Sequence, residues 1–391
     1  MRTDHRIVSL SIITTAAIMR YRDLTISCYD NEVPSFVEPE IERLYGNIFS
    51  SLRGFRTYGW TGKDTSTYVV RKSGKISTLI LFERRNGKAR VLNEGIRISG
   101  EELGRFVDYL FATDESLNVI SFKAVETDIR KSHFPLQRFN QLEDLALALP
   151  PTREEYLASL GKNTRRNIKR YTDRLLRAYP SFRFDVCESE KVNEKDIHTL
   201  IAFNRARMAG KNVVSTYDEE ETRQVVDLTK SCGLVGIARI DGQICAGAVS
   251  FKAGNNYFLN LLSHDPRYDD YWVGFLCCYL TMCECIARGG REFHFLWGRY
   301  EYKYALGAKP RDLDNVNVYR SRMQVLLNAD FAWKAAQEGY FRRAKCWLKY
   351  DDSSLSKHLR EFIADLFIVR RSLSDMFGSR RRALIRSPQE N

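Results

Sequence analysis

Apolar residues alternate with polar ones from Thr67 to Ile98, the period of strands, with turn-forming pairs at Ser73-Gly74 and Asn86-Gly87. Gly100 to Ala112 then reads as a helix and Leu117 to Val125 as another strand. The stretch from Gly233 to Pro266 reads as three strands folded back at Asp241-Gly242 and Asn255-Asn256, an antiparallel meander. After it, Asp269 to Arg288 is long and apolar enough for a buried helix closed by Gly289-Gly290, and a strand begins at Glu292. A crossover from the third meander strand through that helix makes the next strand parallel and sets the helix N-terminus near the carboxyl end of the strand before it.

The middle of the chain carries its own markers. A strand near Leu142 to Leu149 ends at Pro150-Pro151, and Thr152 with Glu155 forms a capping-box signature for a new helix. The next helix, Gly161 to Leu175, sets Leu160, Thr164, Ile168, Tyr171 and Leu175 on one face and Arg165, Arg166, Lys169, Arg170 and Arg174 around the rest. Asp173 is the only acid between Lys162 and Arg177, so the cations repel one another unless an anion binds; Arg165, Arg166 and Lys169 are the candidate anion ligands. Helical spacing resumes after Ser321, in Gln324 to Tyr350 and Leu355 to Phe377, before a basic end at Ser379 to Arg382. The expected divisions are an N-terminal extension (1–20), an α/β half (21–150), a second α/β domain (151–321) and a helical C-terminal region (322–391). Ile7 to Met19 is apolar but shorter than the roughly 20 residues of a spanning helix, and either Met1 or Met19 serves as the start.

With 391 residues and 44% hydrophobic content, the chain buries a large core, which argues against disorder. A net charge of +12 implies an anionic partner: a phosphorylated cofactor or substrate, an acidic lipid surface, or nucleic acid, the last disfavoured because few aromatics surround the basic helix. None of the nine cysteines has the paired spacing of a zinc site, so no metal is expected. Cys277, Cys278, Cys283 and Cys285 lie on the buried helix as small apolar residues, which suits a reducing compartment and a cytoplasmic location, at the inner membrane face or free of it.

The densest chemistry follows the last strand: Gly298, Arg299, Tyr300, Glu301, Tyr302, Lys303 and Tyr304 without a gap. His264, Asp265 and His294 are reserves. Three pieces in order resemble the GNAT acyltransferases, and among them the CelD/BcsL type of cellulose and exopolysaccharide loci. They are the basic helix at Gly161 to Leu175, YDDYWVG at Tyr268 to Gly274, and WGRYEYKYALGA from Trp297 to Ala308. The resemblance covers about Pro150 to Ser321 and extends to the Fem-type transferases, which carry two tandem GNAT-like halves. It implies an α+β, GNAT-like fold, in two such halves with a C-terminal helical appendage.

The resemblance further implies that acetyl-CoA or another acyl-CoA lies between splayed strands at Tyr257 to Ser263 and Glu292 to Trp297. Arg267, Tyr271, Val273 and Gly274 would hold this cofactor, and Arg299 an anionic substrate group. Acyl transfer needs a base for the acceptor's proton and an acid for the departing thiolate; Glu301 is the base, Tyr302 the acid, and Lys303 anchors Glu301 or a phosphate. The acceptor is a small molecule or saccharide, with exopolysaccharide machinery as partner. Two readings stay open beside this one: a Fem-like transferase using aminoacyl-tRNA, and a catalytically silent binding partner of a polysaccharide synthase, which the lack of a Gly-rich phosphate loop favours, since the segment offers only Arg267 and Gly274 with Asp269 and Asp270 between them.

Overall fold

In a computed structural model, which describes residues 16–21, 24–350 and 353, residues up to Asn328 form one unit and those from Ala329 a second. The expectations for residues 7–15, for Leu355 to Phe377 and for the basic end lie outside the described residues.

The first unit is built on one sheet of 13 strands. Its first half runs β1 (Ala16–Tyr21), β2 (Leu24–Tyr29), α1 (Val37–Tyr45), α2 (Leu52–Tyr58), β3 (Thr65–Lys72), β4 (Lys75–Arg85), β5 (Lys88–Val91), α3 (Gly100–Thr113), β6 (Val119–Val125) and β7 (Leu136–Ala148). After α4 (Arg153–Ser159) and α5 (Lys162–Ala178), the second half runs β8 (Arg183–Glu188), α6 (Glu194–Gly210), α7 (Glu219–Cys232), β9 (Gly233–Ile240), β10 (Gln243–Ala253), β11 (Asn256–His264), α8 (Val273–Ala287), β12 (Glu292–His294), α9 (Glu301–Ala305) and β13 (Lys309–Tyr319). From β2 and from β8 the order is the same: strand, two helices, three-strand meander, helix, parallel strand, long closing strand. β5 pairs with β6 in parallel as β11 does with β12, so the two halves repeat one α+β, GNAT-like plan.

The hairpins follow their turn residues. Ser73-Gly74, Asn86-Gly87 and Asp241-Gly242 all have positive φ at both positions, the geometry that suits tight two-residue turns. The β10–β11 hairpin turns at Gly254-Asn255, one residue before the expected pair, because Ala253 already pairs with Asn256. Strands β9 and β10 are buried on both faces, by α8 on one side and by α6 and α7 on the other. In the first half α3 covers one face and α1 with α2 the other.

The closing strands trade places. β7 follows β6 in the chain but lies between β12 and β13, while β13 lies between β6 and β7. Pro150-Pro151 is therefore a chain turn into α4, and the sheet does not divide there. Thr152 caps α4 by accepting from the Glu155 N–H at 3.1 Å.

The second unit begins with α11 (Ala329–Tyr350), preceded by α10 (Arg322–Leu327) at the end of the first. The helix expected to run unbroken from Gln324 is thus two, parted at Asn328.

Candidate active site

Strands β11 and β12 pair only over Asn256–Phe258 and Glu292–His294, then separate. The cause is local. The expected strand to Trp297 stops at His294 because Leu296 adopts φ 56°, a left-handed conformation that costs a non-glycine residue about 1–2 kcal/mol. Phe295 and Leu296 instead bond to Leu145 of β7, at 2.7 and 3.2 Å. Beyond Phe258, the edge of β11 from Leu259 to His264 faces the gap, and the Asn260 side-chain oxygen on it is buried without a hydrogen-bond partner.

Lys303, only 3% exposed, holds this distortion in place. Its ammonium donates to the carbonyls of Phe295, Leu296 and Trp297 at 2.6, 3.3 and 2.7 Å. Three donors meet three acceptors, which leaves none for Glu301 or a phosphate. Burial pushes the Lys303 pKa down to about 8, against the pull of Asp144. The expectation that Lys303 anchors one of those groups is replaced by a clamp on the backbone that opens the strands. Glu301 is exposed in the first turn of α9. Tyr302 packs edge-on to Phe295 and stacks on Tyr300, and burial raises its phenol pKa well above the ordinary value, so it keeps its proton at neutral pH. Arg299 is engaged by Glu143 of β7, with Nε donating at 2.7 Å.

At the carboxyl end of β11 the chain makes a 3-10 turn, Pro266–Tyr271, and α8 starts at Val273 rather than at Asp269. Between them Trp272 is left-handed (φ 55°) and stacks on Tyr171 of α5, with ring centroids 4.7 Å apart. No side chain caps α8, so its first N–H groups, Val273 and Gly274 among them, are left for another acceptor. A Cβ on Gly274 would lie 2.7 Å from His264 Nδ1, so only glycine lets the helix start sit against β11. Arg267 is paired with Asp265 of its own turn, at 2.6 and 2.9 Å, which holds the Asp265 carboxyl below its usual range. His264 Nε2 lies 2.6 Å from Asp269.

The basic helix packs across this helix start. Arg174 donates to the Asp270 carbonyl at 3.2 Å and stands 5.0 Å above the Tyr271 ring, while Tyr179 meets Tyr268 and Tyr271 edge-on. Arg165, Arg166 and Lys169 lie nearer the other end of α5 and are exposed. Arg165 donates to the Ala158 carbonyl at 3.5 Å and Arg166 to Asn163 at 3.4 Å. Tyr171, Arg174 and Trp272 were not among the expected site residues; the Trp inside YDDYWVG and the Tyr on the apolar face of α5 are the signals that mark them.

His294 is a further group of the site, buried and stacked on Phe258 at 4.2 Å. Its Nδ1 lies 2.6 Å from Asp144 Oδ2; its Nε2, 3.3 Å from Glu292, lacks the alignment of a hydrogen bond. It borders a polar cavity of about 200 Å³, also lined by Asn47, Asn256, Glu126, Glu292 and Arg311. Cys277, Cys278, Cys283 and Cys285 are buried in α8, where burial pushes the Cys278 thiol up to about 12, far from a thiolate at neutral pH.

Residues 162–304 match the acetyltransferase (GNAT) domain family. No curated protein is matched by the chain. Among solved structures, FemX is similar over 76% of this chain and 98% of its own, at 11% identity and a TM-score of 0.56. A conserved protein of unknown function from Bacteroides thetaiotaomicron aligns over 74% of this chain and 98% of its own (11% identity, TM-score 0.48), and L-PGS from Bacillus licheniformis over 76% and 96% (14%, 0.45). At 11% identity the likeness to FemX is one of fold. Residues 162–304 are thus similar to a GNAT acetyltransferase domain and lie within a two-halved fold similar to that of FemX.

Proposed function

We infer that the chain is an acyl-CoA-dependent acyltransferase of the CelD/BcsL type, acting on an amine or hydroxyl of a saccharide or other small acceptor in exopolysaccharide or envelope synthesis at the cytoplasmic side. The observation that carries this reading is the parting of β11 and β12 beside an uncapped helix start. The free N–H groups of Val273 and Gly274 suit a pyrophosphate, and the unpaired edge of β11 suits the extended arm of the cofactor. Glu301 would take the acceptor's proton, and Tyr302 would supply one to the thiolate as the thioester gives up its acyl group, the proton held by Glu301 restoring the phenol. Acetyl-CoA at a hundredfold its dissociation constant should stabilise the protein by about 2.7 kcal/mol. The absence of any shift with acetyl-, succinyl- or longer acyl-CoA would end this reading.

One observation favours a second reading. Arg267 is committed to Asp265, and Asp269 and Asp270 stand at the helix start, while Arg174 meets that start and the other cations of α5 run away from it along the helix. That balance suits a long polyanion reached from α5, as in aminoacyl transfer from tRNA. Calorimetry showing tight binding of aminoacyl-tRNA and none of acyl-CoA would select it.

A further inference from the structure

Helix α11 carries its large apolar side chains on the outside. At 100° per residue, Trp333, Tyr340, Phe341, Ala344 and Trp347 fall within a sector of roughly 120°, and this is the solvent side: Trp333 is 67% exposed, Phe341 70% and Trp347 37%. Ala332, on the other side, is buried, and Phe331, Ala335 and Cys346 there are partly covered. A helix that merely covers a core has the opposite arrangement. Gln337 and, at the first turn, Asp330 are the polar positions inside the sector, and cations edge it on both sides, Arg343 along one border and Lys334 with Lys345, next to Glu338, along the other, all exposed. No helix among the described residues is long and apolar enough to cross a membrane.

We propose that α11 is an interfacial helix that lies on an anionic bilayer, its rings at the boundary of headgroups and acyl chains and its bordering cations against lipid phosphates. Trp beside Lys and Arg is the side-chain set for that boundary, where one end of the side chain is apolar and the other wet. Charge selects the bilayer over a second copy of the chain. Two such faces packed together bring cationic borders side by side, a like-charge contact that works against association. The chain after residue 353 adds to the attraction, with eight Lys and Arg against four Asp and Glu up to Asn391. Each cation near such a surface strengthens binding roughly fivefold.

The test is co-sedimentation of the full chain with vesicles of phosphatidylcholine mixed with phosphatidylglycerol, compared with phosphatidylcholine alone. We expect binding to the anionic vesicles only, weakened by salt, with a blue shift of Trp fluorescence. The variant W333S/F341S/W347S should bind at least roughly tenfold more weakly, and K334Q/R343Q/K345Q, which keeps the rings, should lose binding and salt dependence together. The second variant decides the matter if the first fails to fold. Equal binding to both vesicle types, or none, overturns the proposal, as does undiminished binding by both variants, which would place the contact in the C-terminal residues. A wild-type dimer that the ring substitutions convert to monomer would give the face to a second copy of the chain and overturn it equally.

Discussion

Nδ1 of His294 lies 2.6 Å from Oδ2 of Asp144, a contact between residues 150 positions apart that ties β12 of the second half to β7, the closing strand of the first. Arg311 of β13 continues the network with a forked contact to Glu292 at 2.7 and 3.2 Å, and reaches Glu126 beyond β6 at 3.4 Å. The four strands that meet at the centre of the sheet are thus joined by charge as well as by their ladders. Removing one partner of a buried ion pair leaves the other uncompensated, which typically costs about 3–5 kcal/mol. We expect Asp144→Asn to approach that loss in denaturant unfolding. An unchanged midpoint would mean that the contact contributes nothing to holding the halves together.

The same pair sets a pH dependence. Burial alone would lower the His294 pKa, but the hydrogen bond to Asp144 and the charge of Glu292 outweigh it and raise it above 6.5. A raised histidine contributes stability that is complete below the unfolded value and is lost as pH rises through the folded one. Lys303 acts in the opposite sense: its pKa is depressed to about 8, so it favours the folded state increasingly as pH rises from there toward 10.5. The comparison must therefore be wild type against His294→Gln. Their difference in unfolding free energy should shrink as pH rises above 6.5, and a difference that stays constant with pH would show that His294 does not contribute through its charge.

Lys303 leads to an expectation in binding. With Met in its place, the carbonyls of Phe295 and Trp297 lose their donor, at about 1–3 kcal/mol for a buried acceptor left unpaired. The bonds of Phe295 and Leu296 to Leu145 are then left alone to hold Leu296 left-handed. We expect Lys303→Met to lower the melting temperature and, by letting β12 extend toward β11, to weaken acyl-CoA binding. Lys303→Arg should not rescue it, because a planar fork cannot converge on three carbonyls as an ammonium does. Wild-type affinity in the Met variant would detach the strand opening from the clamp.

For the basic helix the readout is salt. If Arg165, Arg166 and Lys169 hold an anionic ligand, replacing all three by Gln should weaken its binding and flatten the salt dependence, with the melting temperature nearly unchanged because all three are exposed. Arg174→Gln is the companion variant, since Arg174 is the cation that touches the helix start. An effect in Arg174→Gln alone would confine the anion to that end of α5.

Turn chemistry made the meanders legible: Ser73-Gly74, Asn86-Gly87 and Asp241-Gly242 each fix a hairpin with no help from distant residues. The helix from Gly100 was legible from its period and is closed at its start by a full capping box, Ser99 with Glu102. What could not be read is the exchange of β7 and β13. Both strands are rich in polar residues, Gln137, Asn140, Gln141, Asp312 and Asn315 among them, and their pairing spans more than 160 positions, so neither period nor turn residue announces it. The Lys303 clamp was hidden for a related reason. A lysine in a charged run reads as solvated, and only the left-handed turn at Leu296 brings three carbonyls to its ammonium.

Catalysis gives the sharpest expectation. Glu301 stands exposed at the start of α9, two residues before the clamping lysine, where the chain leaves the gap between β11 and β12. The Lys303 ammonium is spent on backbone carbonyls and not on this carboxylate, so replacing Glu301 should not disturb the clamp. Gln keeps its shape and removes only proton acceptance. Loss of a general base typically costs 10²- to 10⁴-fold, and we expect Glu301→Gln to lower turnover by roughly that factor, with acyl-CoA affinity and melting temperature unchanged. A fall in affinity instead would make Glu301 part of the binding surface. Full activity would remove it as the base and turn attention to His264, whose Nε2 is already oriented by Asp269 at 2.6 Å beside the start of α8.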